Sequence, residues 1–158
     1  STGHSPGHIV LFDEKHKIAI SGDVALGWGP EVAKGTAQQA SVYSSPSEYL
    51  EGVEMVRSLN AELYCTAHFG AITQKAMNDI CDKSHDFVES FDKWSLEALS
   101  DKPKTLHQIT NEVTRHIPKF EFGYHLHAST QAHLMQHIAK ARAKSVMLEN
   151  RKHYLKAS

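Results

Sequence analysis

Between residues 17 and 66 the chain passes through a short apolar run, a glycine-rich loop, a helix with a marked start and a second apolar run. The first run, KIAI, ends in Ser21-Gly22-Asp23 and is followed by ALGWGPEVAKG. The helix opens at SPSEYLEGVEMVRSL. Ser45 stands at the N-cap, Pro46 at the first helical position and Glu48 where a capping box needs its acid. Leu50, Val53 and Val56 recur at helical spacing, Asn60 closes the helix, and AELYCT then reads as a strand. A strand, helix and strand in that order make an α/β arrangement the simplest fold. Upstream, HIVLF over residues 8–12 and KIAI over 17–20 flank a DEKHK turn, which predicts a β-hairpin.

From about Thr73 the pattern becomes helical. Met77, Ile80, Phe87, Phe91 and Trp94 fall on one face of a long helix reaching about Leu99, and SDKPK breaks it. Thr105 and Gln108 form a second capping box, with Leu106, Ile109, Val113 and Ile117 as the buried stripe and Pro118 as the stop. FEFGYHLH reads as irregular or short strand. Ser129 is the expected start of a third helix carrying Leu134, Ile138 and Ala141, and SVMLENRKHYLKA reads as two strands around an ENRK turn. The expected divisions are 1–75, a connecting long helix at 76–100, and 101–158, whose helices and terminal hairpin are the elements of a winged-helix-like unit.

Composition narrows the function classes. A formal net charge of −1 with 22% charged residues gives no global steering toward nucleic acid or membrane. No apolar run approaches a membrane span. Two cysteines, Cys65 and Cys81, without a CxxC pair make a reduced, cytoplasmic setting the expectation. Histidine is the outlier at twelve residues, and it is the commonest metal ligand. His4, Asp23 and His68 each lie where a loop meets a strand end, where ligands converge on one rim of a sheet. Two imidazoles and a carboxylate suit a first-row metal, zinc above all. His133 and His137 have the i, i+4 spacing of a shared metal site. Without the Glu of HExxH they are read as part of an exposed polar face. Cys65 is read as a buried strand cysteine.

TGHSPGH, then SGD at a strand end, a capped helix, and a strand leading to AHFG together resemble the second half of a metallo-β-lactamase-fold hydrolase. The family's third histidine motif is similar to T-x-G-H-[ST]-x-G-[HS]. Thr2 and Gly3 frame His4, with tighter spacing ahead of Gly3. Asp23 matches the family's bridging aspartate and His68 its last histidine, although TAHFG replaces the usual PGHG-like turn. The resemblance implies the second half of an αββα sandwich and a centre of two zinc ions, with His4 on one, His68 on the other and Asp23 between them. It implies no catalytic side chain beyond the metal-activated water. It also implies that His8 supports the ligands without binding metal, and that Trp28 lines a substrate cleft or packs.

The family's HxHxDH motif is absent here. The one HxH, His125-Leu126-His127, is followed by Ala128-Ser129-Thr130. The expectation is therefore a chain cut just ahead of a zinc ligand, holding metal weakly and inactive by itself. The implied substrate of the parent hydrolase is a small ester, thioester or similar acyl compound. A metal-dependent nuclease, or a nucleic-acid-binding winged helix with Lys140, Arg142, Lys144, Arg151, Lys152 and Lys156, is the less favoured alternative. A non-catalytic interaction protein is a third. Half a sandwich should also expose apolar strands, so self-association is expected through residues around 8–12, 17–20 and 62–66.

Overall fold

The structure is a computed structural model that describes residues 3–30, 38–120 and 122–157. Leu11–Asp13 (β1) and Ile18–Gly22 (β2) form the expected hairpin, shifted slightly along the chain. Asp13 closes its turn by accepting the Lys15 and His16 backbone N–H groups and the His16 ring N–H. β2 runs parallel to Leu63–Thr66 (β3), and Pro46–Ser58 (α1) is the crossover that a parallel pair requires. Ser45 caps α1 by accepting the Glu48 N–H, and Asn60 leaves it in the left-handed region at φ 49°. Ala71–Thr73 (β4) is a short antiparallel edge strand that the sequence pattern did not reveal. The sheet order is β1-β2-β3-β4.

Thr73 then caps Gln74–Glu97 (α2), a 24-residue helix that buries Met77, Cys81, Phe87, Val88 and Phe91. Lys104–Thr105 (β5) precedes Leu106–Thr114 (α3), whose Thr105/Gln108 capping box is complete in both directions. Tyr124–Ala139 (α4) leads to the hairpin Ala143–Leu148 (β6) and Arg151–Lys156 (β7), and these strands form a second sheet in the order β5-β7-β6. Glu149 and Asn150 both have positive φ, 49° and 60°, as a two-residue hairpin turn of the I′ type demands. One cluster of buried side chains runs from Ala19, Tyr49 and Tyr64 through Phe87 and Phe91 to Leu134 and Tyr154, so the helices join the two sheets through a shared core.

Three expectations are corrected. α4 begins at Tyr124 and not at Ser129, so half of FEFGYHLH is helical. Its N-cap is Gly123, which offers no side-chain hydrogen bond, and no capping signal marks the start. Ala141 lies beyond α4 at φ 54° and is exposed, outside the buried stripe.

His133 and His137 are the third correction: neither has exposed surface. They face Asp92 of α2, with Nδ1 atoms 3.7 and 3.8 Å from its Oδ1, while Arg142 grips both oxygens of that carboxylate at 3.1 and 2.9 Å. Their Nε2 atoms meet Tyr43 Oη at 2.7 Å and Ser95 Oγ at 2.9 Å. The face turns inward: hydrogen bonds at the Nε2 atoms offset part of the cost of burying the two rings, while both Nδ1 atoms are buried beside Asp92 without a hydrogen bond.

This cluster has a pH consequence. Burial pushes the His137 imidazole down from 6.5 to about 4 against the pull of Asp92, and it lowers His133 as well. Between those two pH values the unfolded chain binds more protons than the folded one, so stability falls as pH drops from about 6.5 toward 4. The loss from His137 is on the order of 3 kcal/mol. His133 and the Arg142 guanidinium hold Asp92 well below the usual carboxylate range, so its contribution is lost only at lower pH still. Urea unfolding near pH 7 and near pH 4 should show the drop, and His137→Gln should flatten it.

Candidate metal centre

Asp23 follows β2 directly, His68 sits in the turn between β3 and β4, and His4 lies in the turn ahead of β1. The structure brings the three together at one end of the sheet. Asp23 Oδ1 is 3.1 Å from His68 Nε2, and Asp23 Oδ2 is 3.9 Å from His4 Nε2. Each carboxylate oxygen thus faces a different imidazole.

Local backbone produces this convergence. The Gly3 carbonyl accepts the Ser44 N–H at 3.2 Å, docking the His4 turn against the start of α1. A Cβ on Gly3 would fall onto the Tyr49 backbone, so the close approach requires glycine. Gly22 has φ +54°, and a Cβ there would lie 2.9 Å from His8 Nε2. Its carbonyl accepts the Ala67 N–H, tying the Asp23 loop to the His68 turn. Thr66 closes that turn, donating from Oγ1 to the Gly70 carbonyl and accepting the Phe69 N–H.

Hydrogen bonds fix which imidazole nitrogen is free. The His4 Nδ1–H donates to the Val42 carbonyl at 2.9 Å, so in the neutral ring Nε2 keeps a lone pair facing Asp23. His8 is opposite in kind. Its Nε2 accepts the Asp23 backbone N–H at 3.2 Å, which occupies that lone pair, and its Nδ1 is buried without a hydrogen-bond partner. Burial, then neighbouring His4, holds the His8 imidazole below its ordinary value and favours the neutral ring.

Asp23 Oδ1 is buried and accepts no hydrogen bond, since His68 Nε2 is near but not aligned to donate. A buried carboxylate oxygen without a donor is costly, and a cation would relieve it. The donor set and this orphaned oxygen both fit a metal. Among the described residues, however, no group of three or more His, Cys, Asp or Glu side chains could hold a metal ion. The arrangement is two pairs sharing Asp23.

Trp28 both lines a cavity and packs. Its ring meets Phe87 edge-on at 5.6 Å and lies near Trp94 and Phe120. It also walls a cavity of about 580 Å³ whose other lining residues include His68, Phe69, Ile80 and Lys83. Phe69, the residue that departs from a PGHG-like turn, is therefore part of the cavity wall. Cys65 is half-buried on β3 and less enclosed than expected, whereas Cys81 is buried. The Val42 carbonyl was not legible in the sequence, because a backbone acceptor leaves no side-chain signature.

No family model matches the chain, and no curated protein matches it by sequence. Among solved structures, a metallo-beta-lactamase family protein from Thermus thermophilus is similar with a TM-score of 0.69 at 20% identity, over 98% of this chain and 46% of that one. A beta-lactamase domain protein from Burkholderia ambifaria is similar with a TM-score of 0.70 at 17% identity, over 98% of this chain and 45% of that one. The likeness is one of fold. No helix among the described residues is long and apolar enough to cross a membrane. The chain shares its mixed α/β fold with a little under half of the length of each of these two proteins, the first of them a metallo-beta-lactamase family protein.

Proposed function

We propose that this chain supplies one side of a two-zinc centre in a hydrolase of the metallo-β-lactamase fold, acting on a small ester, thioester or similar acyl substrate. The observation that carries the reading is Asp23, whose two oxygens face His68 and His4 separately. His4 would hold one zinc through Nε2, His68 would hold the other, and Asp23 would contact both. Zinc in such a site supplies Lewis acidity and a hydrolytic nucleophile at neutral pH. The chain's own part is to aim the ligands. The Val42 carbonyl orients His4, His8 holds the Asp23 backbone, and Trp28 and Phe69 line the neighbouring cavity, where they would contact an acyl group.

The elements from β5 to β7 support a winged-helix-like unit over residues 101–158, which we read as packing beside the metal centre. Its α4 bonds directly to residues 41 and 43. Arg142 is committed to Asp92, which takes one basic side chain out of the nucleic-acid alternative.

Catalytic zinc normally has three protein ligands plus water, and each ion here would have two. Zinc titrated into the isolated chain should therefore bind weakly, and His4→Ala, Asp23→Ala and His68→Ala should each weaken it further. Stoichiometric zinc surviving extensive dialysis would show additional ligands, with His8 and Cys65 the first to check. Zinc binding untouched by all three substitutions would overturn the assignment.

A further inference from the structure

The loop carrying Val42 belongs to neither sheet and no helix, yet its carbonyl decides which nitrogen of His4 faces Asp23. Two side chains of α4 hold this loop on either side of Val42. Ser129 Oγ–H donates to the Ser41 carbonyl at 2.6 Å. His133 Nε2 meets Tyr43 Oη at 2.7 Å. Ser129 and His133 are one helical turn apart, on the same face of α4, and both are fully buried. Ser41 Oγ–H also donates to the Gly27 carbonyl at 2.7 Å, and the Tyr43 ring stacks on Tyr49 at 4.8 Å.

Behind His133 stands the Asp92 carboxylate, gripped by Arg142. The His133 Nδ1 lies 3.7 Å from Asp92 Oδ1, a contact too long for a hydrogen bond, and the Tyr43–His133 hydrogen bond forms whichever of the two donates. A line of contacts thus runs Arg142, Asp92, His133, Tyr43, then through the backbone to Val42 and His4.

We infer that Ser129 and His133 are positioning residues for His4: α4 fixes the Val42 carbonyl, and that carbonyl holds His4 with its proton on Nδ1 and its Nε2 lone pair toward Asp23. The functional meaning rests on the metal-centre reading above, while the structural content stands on this chain alone. The region from α2 to β7 then acts on the site as a strut, and its loosening reaches a ligand without touching metal. Partners that orient metal-binding histidines typically contribute about 10–100-fold in metal affinity or activity.

The test reads the His4 ring nitrogens by ¹⁵N NMR in the metal-free chain near neutral pH, with chelator present. In the unaltered chain His4 should carry its proton on Nδ1. Tyr43→Phe removes one oxygen and keeps the stack on Tyr49, and Ser129→Ala breaks the other tie. Each should move His4 measurably toward the Nε2–H form, while exposed His16, bonded to Asp13, stays unchanged as a control. His4 remaining on Nδ1 in both variants, even with a lowered melting temperature, would overturn the inference and leave the ties as mere packing. Loss of fold in one variant leaves the other to decide, and loss of fold in both counts against the inference in the same way. A chain whose His4 responds as expected but whose zinc binding ignores His4, Asp23 and His68 would defeat the metal-centre reading and leave this one standing.

Discussion

Replacing Asp23 with alanine, in a protein that carries this chain beside a complete set of zinc ligands, should lower hydrolytic turnover by well over about 100-fold. His8→Ala should cost less, about 10–100-fold, the range typical of a partner that orients a ligand. The difference follows from geometry. Asp23 places an oxygen toward each of two imidazoles, so in the proposed two-zinc centre its loss would affect both ions at once. Little of the fold depends on its side chain, and stability should stay within about 1 kcal/mol. His8 acts through the backbone, accepting the Asp23 N–H, and its removal leaves that turn freer but both carboxylate oxygens in place. Gly22→Ala offers an independent check. It forces φ +54° on an alanine and sets a methyl 2.9 Å from His8 Nε2, so it should mimic or exceed His8→Ala. Turnover and zinc content of the three variants on one substrate decide the order. A larger loss from His8→Ala than from Asp23→Ala would exchange the two roles.

The elements that sequence made legible are those with local chemistry at their ends. Pro46 and Ser45 start α1, and Thr105 with Gln108 starts α3, because side chains of the correct length meet backbone donors within one turn. The start of α4 at Gly123 carries no such signal, and its helix stands by packing. β4 is three residues long and defined by pairing with β3, a tertiary fact. For the site, the positions of His4, Asp23 and His68 could be read because glycines force sharp turns beside them. The inward turn of His133 and His137 could not be read. Helical spacing gives a face, and only the partners Asp92, Arg142, Tyr43 and Ser95, 42 or more residues away for the two latter, tell whether it is wet or dry.

The isolated chain should form dimers or larger assemblies at micromolar concentrations, through the face of the first sheet that turns away from α1. Strand register puts Leu11, Ile20, Cys65 and Ala71 in one cross-strand row, and Ile18 and Leu63 in the next row of the same face. The opposite face holds Ala19 and Tyr64, both fully buried. Leu11 is 55% exposed and Ile20 53%, with Ile9 at 67% just before the strand. At about 25 cal/mol per Å² of apolar surface, covering such a row favours association by a few kcal/mol. β1 is also an edge strand, whose unpaired N–H and C=O groups can recruit another strand. Light scattering over a dilution series reads the result. Ile20→Lys puts a charge in the middle of the apolar row without touching the edge, and it should yield monomers. Association that survives Ile20→Lys would assign contact to the edge of β1, and a monomeric unaltered chain at high concentration would mean that this face tolerates water as it stands.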